Sequence, residues 1–157
     1  MHINRVRIEN FKCFKEPFTL YLNTGLNILV GNNETGKSTI LEAIHLCLSG
    51  LYNGRYARNE LSEYFFNNKA VDDFKKALNN NTPIAPPEIT IEVFIAGENL
   101  PFFEGDGNSE QVNECGVCLK IAIDEKHKAD YDDFVNAGEV TSLPIEFYEI
   151  NWTSCAR

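Results

Sequence analysis

Residues 31–38 read Gly31-Asn32-Asn33-Glu34-Thr35-Gly36-Lys37-Ser38, a run of the form G-x-x-x-x-G-K-S. It is the pattern of a phosphate-binding loop, which needs a strand before it and a helix after it. Leu26-Asn27-Ile28-Leu29-Val30 is a short apolar run that reads as a buried strand. Lys37 to Ser49 reads as a helix. A phosphate chain must be approached closely by backbone N–H groups, and Gly31 and Gly36 permit that approach. The helix start near Lys37 adds free N–H groups and a partial positive charge. Asn32, Asn33, Glu34 and Thr35 complete the loop. Lys37 is placed to reach the β- and γ-phosphates of a nucleotide, Ser38 to ligate Mg²⁺, and Thr39 to add a hydroxyl near the α-phosphate.

Working outward, the N-terminal side alternates. Ile3, Val6 and Ile8 are apolar among polar neighbours, with a slip at Arg5, so His2 to Ile8 reads as a strand. Asn10-Phe11-Lys12-Cys13-Phe14 follows as a turn with aromatic anchors. Phe18, Leu20 and Leu22 alternate in a second strand, the other side of a hairpin, and Asn23-Thr24-Gly25 turns into the loop strand. Beyond the loop, Ile40, Ile44, Cys47, Leu48 and Leu51 form the expected core stripe of the helix, with Glu42 and His45 facing outward. Gly50 and Gly54 end it.

Residues 55–58 read as a loop and residues from about 59 to 82 as a helical insert. Arg55 and Arg58 lie on a loop, Asn59 caps a short helix with Leu61, Tyr64 and Phe65, and Val71 to Leu78 form another helix. Asn79 to Pro83 and Pro86-Pro87 break it. Then the period becomes two. Ile89, Ile91, Val93 and Ile95 alternate with Glu88, Thr90, Glu92 and Phe94, the pattern of a half-exposed antiparallel strand. Gly97 to Glu114 reads as an exposed loop, Val117 to Ile123 as the next strand, Ala129 to Asn136 as a short helix, and Pro144 to Trp152 as a last strand.

Ile121-Ala122-Ile123-Asp124-Glu125 has the outline of a Walker B strand, which would supply a Mg²⁺-shell aspartate and a water-orienting glutamate. Such a strand is apolar on both faces inside a parallel sheet. Lys120 and the alternation around it argue against that reading, which leaves the catalytic residues unassigned. The acidic runs Asp72-Asp73 and Asp130 to Asp133 read as solvated helix ends.

The whole chain sets the bounds. Its 157 residues suffice for one cored domain, and no apolar run approaches the ~20 residues of a membrane-spanning helix. No secretory signal is evident, so a cytoplasmic protein with five reduced cysteines is expected. Cys115 and Cys118 form a lone C-x-x-C without the further ligands a zinc site needs. The net charge is −9, and it is uneven: +2 through residue 60 and −11 from residue 61 on. That acidic portion disfavours a broad grip on a nucleic-acid backbone.

Arg7-Ile8-Glu9-Asn10-Phe11-Lys12-Cys13-Phe14 resembles the I-x-N-F-[KR]-x-F opening of the SMC/RecF/RecN branch of ABC ATPases. The run from Asn33 to Ile44, N-E-x-G-K-S-T-I-L-E-A-I, is similar to bacterial proteins of the OLD family. Those couple an ABC-type ATPase to a TOPRIM nuclease, and many serve in defence against phage. The resemblance covers residues 1–51. It implies an α/β P-loop NTPase of the ABC/SMC-like type with an antiparallel β subdomain, of which this chain is the N-terminal portion. The implied layout is a P-loop lobe over 1–58, a helical insert over about 59–82 and antiparallel strands over about 87–152. It further implies ATP and Mg²⁺ as ligands, Lys12 near the nucleotide, and heads that pair as a homodimer or higher homo-oligomer. It also implies DNA contacted through regions outside this chain, a possible defence-system partner and no membrane. An SMC-, RecF- or RecN-like repair ATPase without nuclease activity is the alternative, as is a nucleotide switch with little hydrolysis. No signature motif, Walker B or TOPRIM cluster is recognisable, so weak nucleotide binding without efficient hydrolysis is expected of residues 1–157.

Overall fold

The computed structural model describes residues 1–31, 36–138 and 140–156. Strand β1, His2–Glu9, turns back through residues 10–14 into β2, Phe18–Tyr21, with Val6 opposite Leu20. The slip in alternation at Arg5 is a β-bulge, where the pairing of this strand shifts register between Ile3 and Arg5. Helix α1, Lys37–Ser49, ends on Gly50 in the left-handed conformation at φ 72°, and the Gly50 N–H closes the last turn on the Leu46 carbonyl. Asn53 and Gly54, both at positive φ, then make a two-residue hairpin of β3, Leu51–Tyr52, and β4, Arg55–Tyr56.

Helix α2, Ala57–Glu60, starts without the Asn59 cap expected from the sequence. Ser62 instead caps a 3₁₀ turn over Glu63–Phe65, and Asn67 caps α3, Asn68–Asn79. Val71, Phe74 and Leu78 are buried on α3, on the face the sequence assigns. The chain continues through β5, Ile89–Ala96, β6, Glu104–Gly105, and β7, Glu114–Ile123. Helix α4, Lys128–Ala137, and β8, Tyr148–Ser154, complete it.

Apart from the β3–β4 hairpin, the strands make one sheet in the order β2-β1-β5-β7, with β6 and β8 both on β7, and each of these pairings is antiparallel. One face carries Val6, Ile8, Ile89, Ile91, Leu119, Ile121 and Ile150, and α1 lies across β1, β5 and β7. Ile40, Ala43, Leu46 and Cys47 are the buried residues of α1. The expected stripe is therefore rotated: Ile44 is half-buried and Leu48 is exposed, because the sheet takes the 40-43-47 edge of the helix.

The other face is also covered, which corrects two expectations. Glu92 and Phe94 are buried, so β5 is not half-exposed. Residues 97–114 are not a free loop but fold over that face. Arg5 stacks its guanidinium 3.9 Å from the Phe94 ring and pairs with Glu110 at 2.6 Å and Glu114 at 3.0 Å. Glu92 accepts from the Ser109 N–H and hydroxyl and lies 3.5 Å from Arg7. A carboxylate that is 1% exposed tolerates burial only with such partners.

The run 26–30 departs most from expectation. It forms no strand, and Leu26, Ile28 and Val30 are 85%, 72% and 83% exposed, while Leu29 packs on the core. Its alternation is strand-like, but among the described residues no neighbour supplies the ladder that a strand requires.

Candidate nucleotide-binding site

Gly36 is the residue on which the site turns. It is buried, holds φ +84°, and precedes α1 without any side-chain cap. Its carbonyl accepts the Ile40 N–H at 2.9 Å, the first bond of the helix. Among the described residues no acidic side chain stands in the first turn and none caps it, so no described carboxylate of that turn offsets the positive end of α1. Lys37 is half-buried and donates from Nζ to the Gly31 carbonyl. Ser38 is exposed and Thr39 half-buried on the same turn. Gly31 lies at φ 153°. Asn32, Asn33, Glu34 and Thr35 lie outside the described residues.

The turn after β1 forms the back of this site. A Cβ on Gly36 would stand 2.7 Å from Phe14 Cζ and 3.0 Å from Cys13 Sγ. The turn itself is held from several sides. Asn10 and Lys12 adopt left-handed backbone at φ 58° and φ 50°. The Lys12 N–H donates to the Phe65 carbonyl at 3.0 Å, and the Lys12 carbonyl accepts Asn67 Nδ2 at 2.8 Å. Asn67 Oδ1 meanwhile caps α3 by accepting the Lys69 and Ala70 N–H groups. Phe11 is fully buried, edge-on to Phe65, and Phe14 stacks on Phe18 with centroids 4.6 Å apart.

Lys12 is committed to α1 and the hairpin. Its Nζ donates to Glu42 and, at 2.5 Å, to the Tyr52 hydroxyl. Burial pulls the Lys12 pKa down, but these two hydrogen bonds outweigh it and the net shift is upward. Sequence reading left Glu42 on an outward face and missed both Tyr52 and Asn67. The Asn-Gly pair at 53–54 signals the hairpin that carries Tyr52, and an asparagine at the head of a helical segment signals the Asn67 cap.

Asp124 and Glu125 do not join this site as a Walker B pair. They follow an antiparallel strand, and Asp124 caps the 3₁₀ turn Glu125–His127 by accepting the Lys126 N–H at 3.0 Å. Cys115 and Cys118 are free thiols, and no group of three or more potential metal ligands occurs among the described residues. An apolar hollow of about 660 Å³, lined by Cys47, Leu48, Gly50, Tyr56, Val117 and Trp152, lies at the opposite end of α1 from Gly36. No helix of the described residues is long and apolar enough to cross a membrane.

Gly36 at positive φ, heading a helix that has no side-chain cap and is followed by Lys37 and Ser38, matches the helix side of a P-loop, whereas residues 26–30 before it do not form the expected strand. The family model of the AAA domain matches residues 5–150, nearly the whole sheet and both longer helices. The chain belongs to the AAA domain family. Among its relatives, this AAA domain is 28% identical over 137 residues to a structural maintenance of chromosomes protein 3 homolog of Plasmodium falciparum, covering 76% of this chain and 11% of that protein. It is 42% identical over 50 residues to a DNA replication and repair protein RecF of Acetivibrio thermocellus, covering 32% of this chain and 13% of that protein. It is 29% identical over 160 residues to an ATP/GTP phosphatase of Helicobacter pylori, covering 90% of this chain and 42% of that protein. This AAA domain thus spans less than half the length of each of these relatives.

Proposed function

We propose that this chain is the ATP-binding portion of a DNA-acting ATPase related to the chromosome-maintenance and RecF proteins. The observation that carries the reading is Gly36, packed on Phe14 and Cys13 at the head of α1. That cradle fits a phosphate: the backbone is close, the helix end is free and two cations, Lys37 and Lys12, belong to the surrounding segments. Lys37 would engage the β- and γ-phosphates, Ser38 would ligate Mg²⁺, and Gly31 to Thr39 would enclose the phosphate chain. When bound, Mg²⁺ neutralises phosphate charge as a Lewis acid.

We assign no water-orienting glutamate, since Glu125, the candidate that the sequence offered, belongs to a capped turn. The chain is therefore expected to bind ATP·Mg²⁺ and to turn it over poorly by itself. Pairing of two copies around ATP, and DNA contacts made by other segments of the protein, belong to the same proposal. The acidic second half of this chain supports placing the DNA contacts elsewhere.

A second reading is an OLD-type ATP-dependent endonuclease with a role, and partners, in defence against phage. The Asn33–Ile44 run supports it. A fluorescent ATP analogue titrated with and without Mg²⁺ tests the shared core of both readings. Mg²⁺-dependent binding lost in Lys37→Ala is the expected result. Binding indifferent to Lys37→Ala would refute the phosphate role of that lysine. Steady turnover by residues 1–157, abolished by the same substitution, would refute the expectation of poor hydrolysis. Nicking of supercoiled DNA by the complete gene product separates the nuclease reading from the repair reading.

A further inference from the structure

The Lys12 clasp is not explained by phosphate binding alone. The Lys12 backbone is fixed on both sides, by Phe65 and by Asn67, so its side chain is the part free to redirect. An ammonium has three donors, and Glu42 and Tyr52 take two. The Tyr52 and Phe11 rings lie 4.7 and 5.7 Å from Nζ and stabilise the charge where it stands. Glu42 is five residues after Lys37, so about 7.5 Å further along the helix axis. Long helical side chains lean back toward the helix N-terminus, which brings this carboxylate toward the phosphate turn. Cys13 and Phe14, the next residues after Lys12, already touch Gly36.

We propose that Glu42 and Tyr52 compete with the phosphates of a bound nucleotide for the Lys12 ammonium, so that this clasp sets nucleotide affinity and links the site to the Leu51–Tyr56 hairpin. The inference rests on the reading of the turn at Gly36 as an ATP site. Its physical basis is that both rivals offer charge-assisted hydrogen bonds to one cation. A polyphosphate carries more charge than one carboxylate, so it wins at saturation and the clasp subtracts from its affinity. When Lys12 moves to phosphate, Tyr52 loses its hydrogen-bond donor and the hairpin loosens.

A plain structural ion pair would behave otherwise, because removing either partner would weaken the fold and the site alike. The test is a double-mutant cycle on Mg²⁺-dependent binding of a fluorescent ATP analogue to the protein. Glu42→Gln is expected to tighten binding roughly fivefold and Lys12→Met to weaken it roughly fivefold, sizes typical of one exchanged charge-assisted bond. In the double variant the Glu42 effect is expected to vanish. Shifts in the same direction for both single variants, or additive effects, would overturn the proposal. Absence of ATP binding by the wild-type protein would instead overturn the nucleotide reading and this inference with it. Amide exchange of the wild-type protein gives an arm that needs no variant: residues 52–56 are expected to exchange faster with ATP, and unchanged or slower exchange there overturns the link.

Discussion

Gly36 stands against the ring of Phe14, separated by a gap that admits a hydrogen and not a methyl group. Position 36 is thus constrained twice, by that ring and by a φ of +84°. Gly36→Ala should cost about 2–5 kcal/mol, combining about 1–2 for the left-handed backbone with about 1–3 for overpacking against Phe14. Urea denaturation would measure it. The alanine variant should also lose nucleotide binding, whereas Gly36→Ala with Phe14→Leu should recover part of the stability by relieving the contact.

Asn67 serves two segments with one side chain. Its Oδ1 caps α3, and its Nδ2 satisfies the Lys12 carbonyl. Asn67→Ala should cost about 2–4 kcal/mol, since a cap contributes about 1 and a part-buried acceptor left unpaired costs about 1–3. Asn67→Asp keeps the cap and loses the donor, so its urea midpoint should fall between those of wild type and alanine.

Glu92 ties residues 97–114 to the sheet. Glu92→Ala leaves the Ser109 donors without their acceptor and takes one of two carboxylates from Arg7, which keeps Glu9 at 3.5 Å, and should cost about 1–3 kcal/mol. Amide exchange should rise in residues 97–114 before it rises in β1 or β5. Uniform exchange across the chain would show that the carboxylate serves the whole sheet instead.

One buried and one half-buried thiol give the chain an alkaline limit. Burial pushes Cys118 up to about 11 and Cys47 up to about 12, from an ordinary value of 9.0. Above pH 9 the unfolded chain releases these protons while the folded chain retains them, so the unfolded state binds fewer protons and stability falls with rising pH. The contribution is fully present below pH 9 and is lost by about pH 11 for Cys118 and about pH 12 for Cys47. Denaturation midpoints across pH 8–11 should show the decline. Alkylation at pH 8 should modify exposed Cys13 first and leave Cys47 protected until the protein unfolds.

Local periodicity made much of this fold legible. The bounds of α1 coincide with the helix read after the glycine loop, the slip at Arg5 is a real bulge, and residues 89–95 do pair antiparallel, although the half-exposure that suggested it is absent. Failures came where a second layer decides the outcome. Glu92 reads as a solvent-facing strand residue until Ser109 and Arg7 are seen to satisfy it. Residues 97–114 carry few apolar side chains, yet they settle on the sheet through ion pairs with Arg5, which hydrophobic patterning does not register. The apolar run 26–30 has every local feature of a strand and lacks a partner among the described residues. The pairing of Lys12 with Glu42 and Tyr52 spans 30 and 40 positions, beyond the range of any periodic pattern.

The bond between Lys12 and Asn67 also has a meaning in time. The turn that shapes the floor under Gly36 is pinned by a residue 55 positions downstream. A chain growing from its N-terminus synthesises the glycine loop long before it synthesises that pin. The proposed phosphate cradle would therefore take its final shape only after the head of α3 has been made and docked, a non-local step of the kind that slows folding. Nascent chains halted before residue 67 should carry the whole motif and still fail to retain nucleotide.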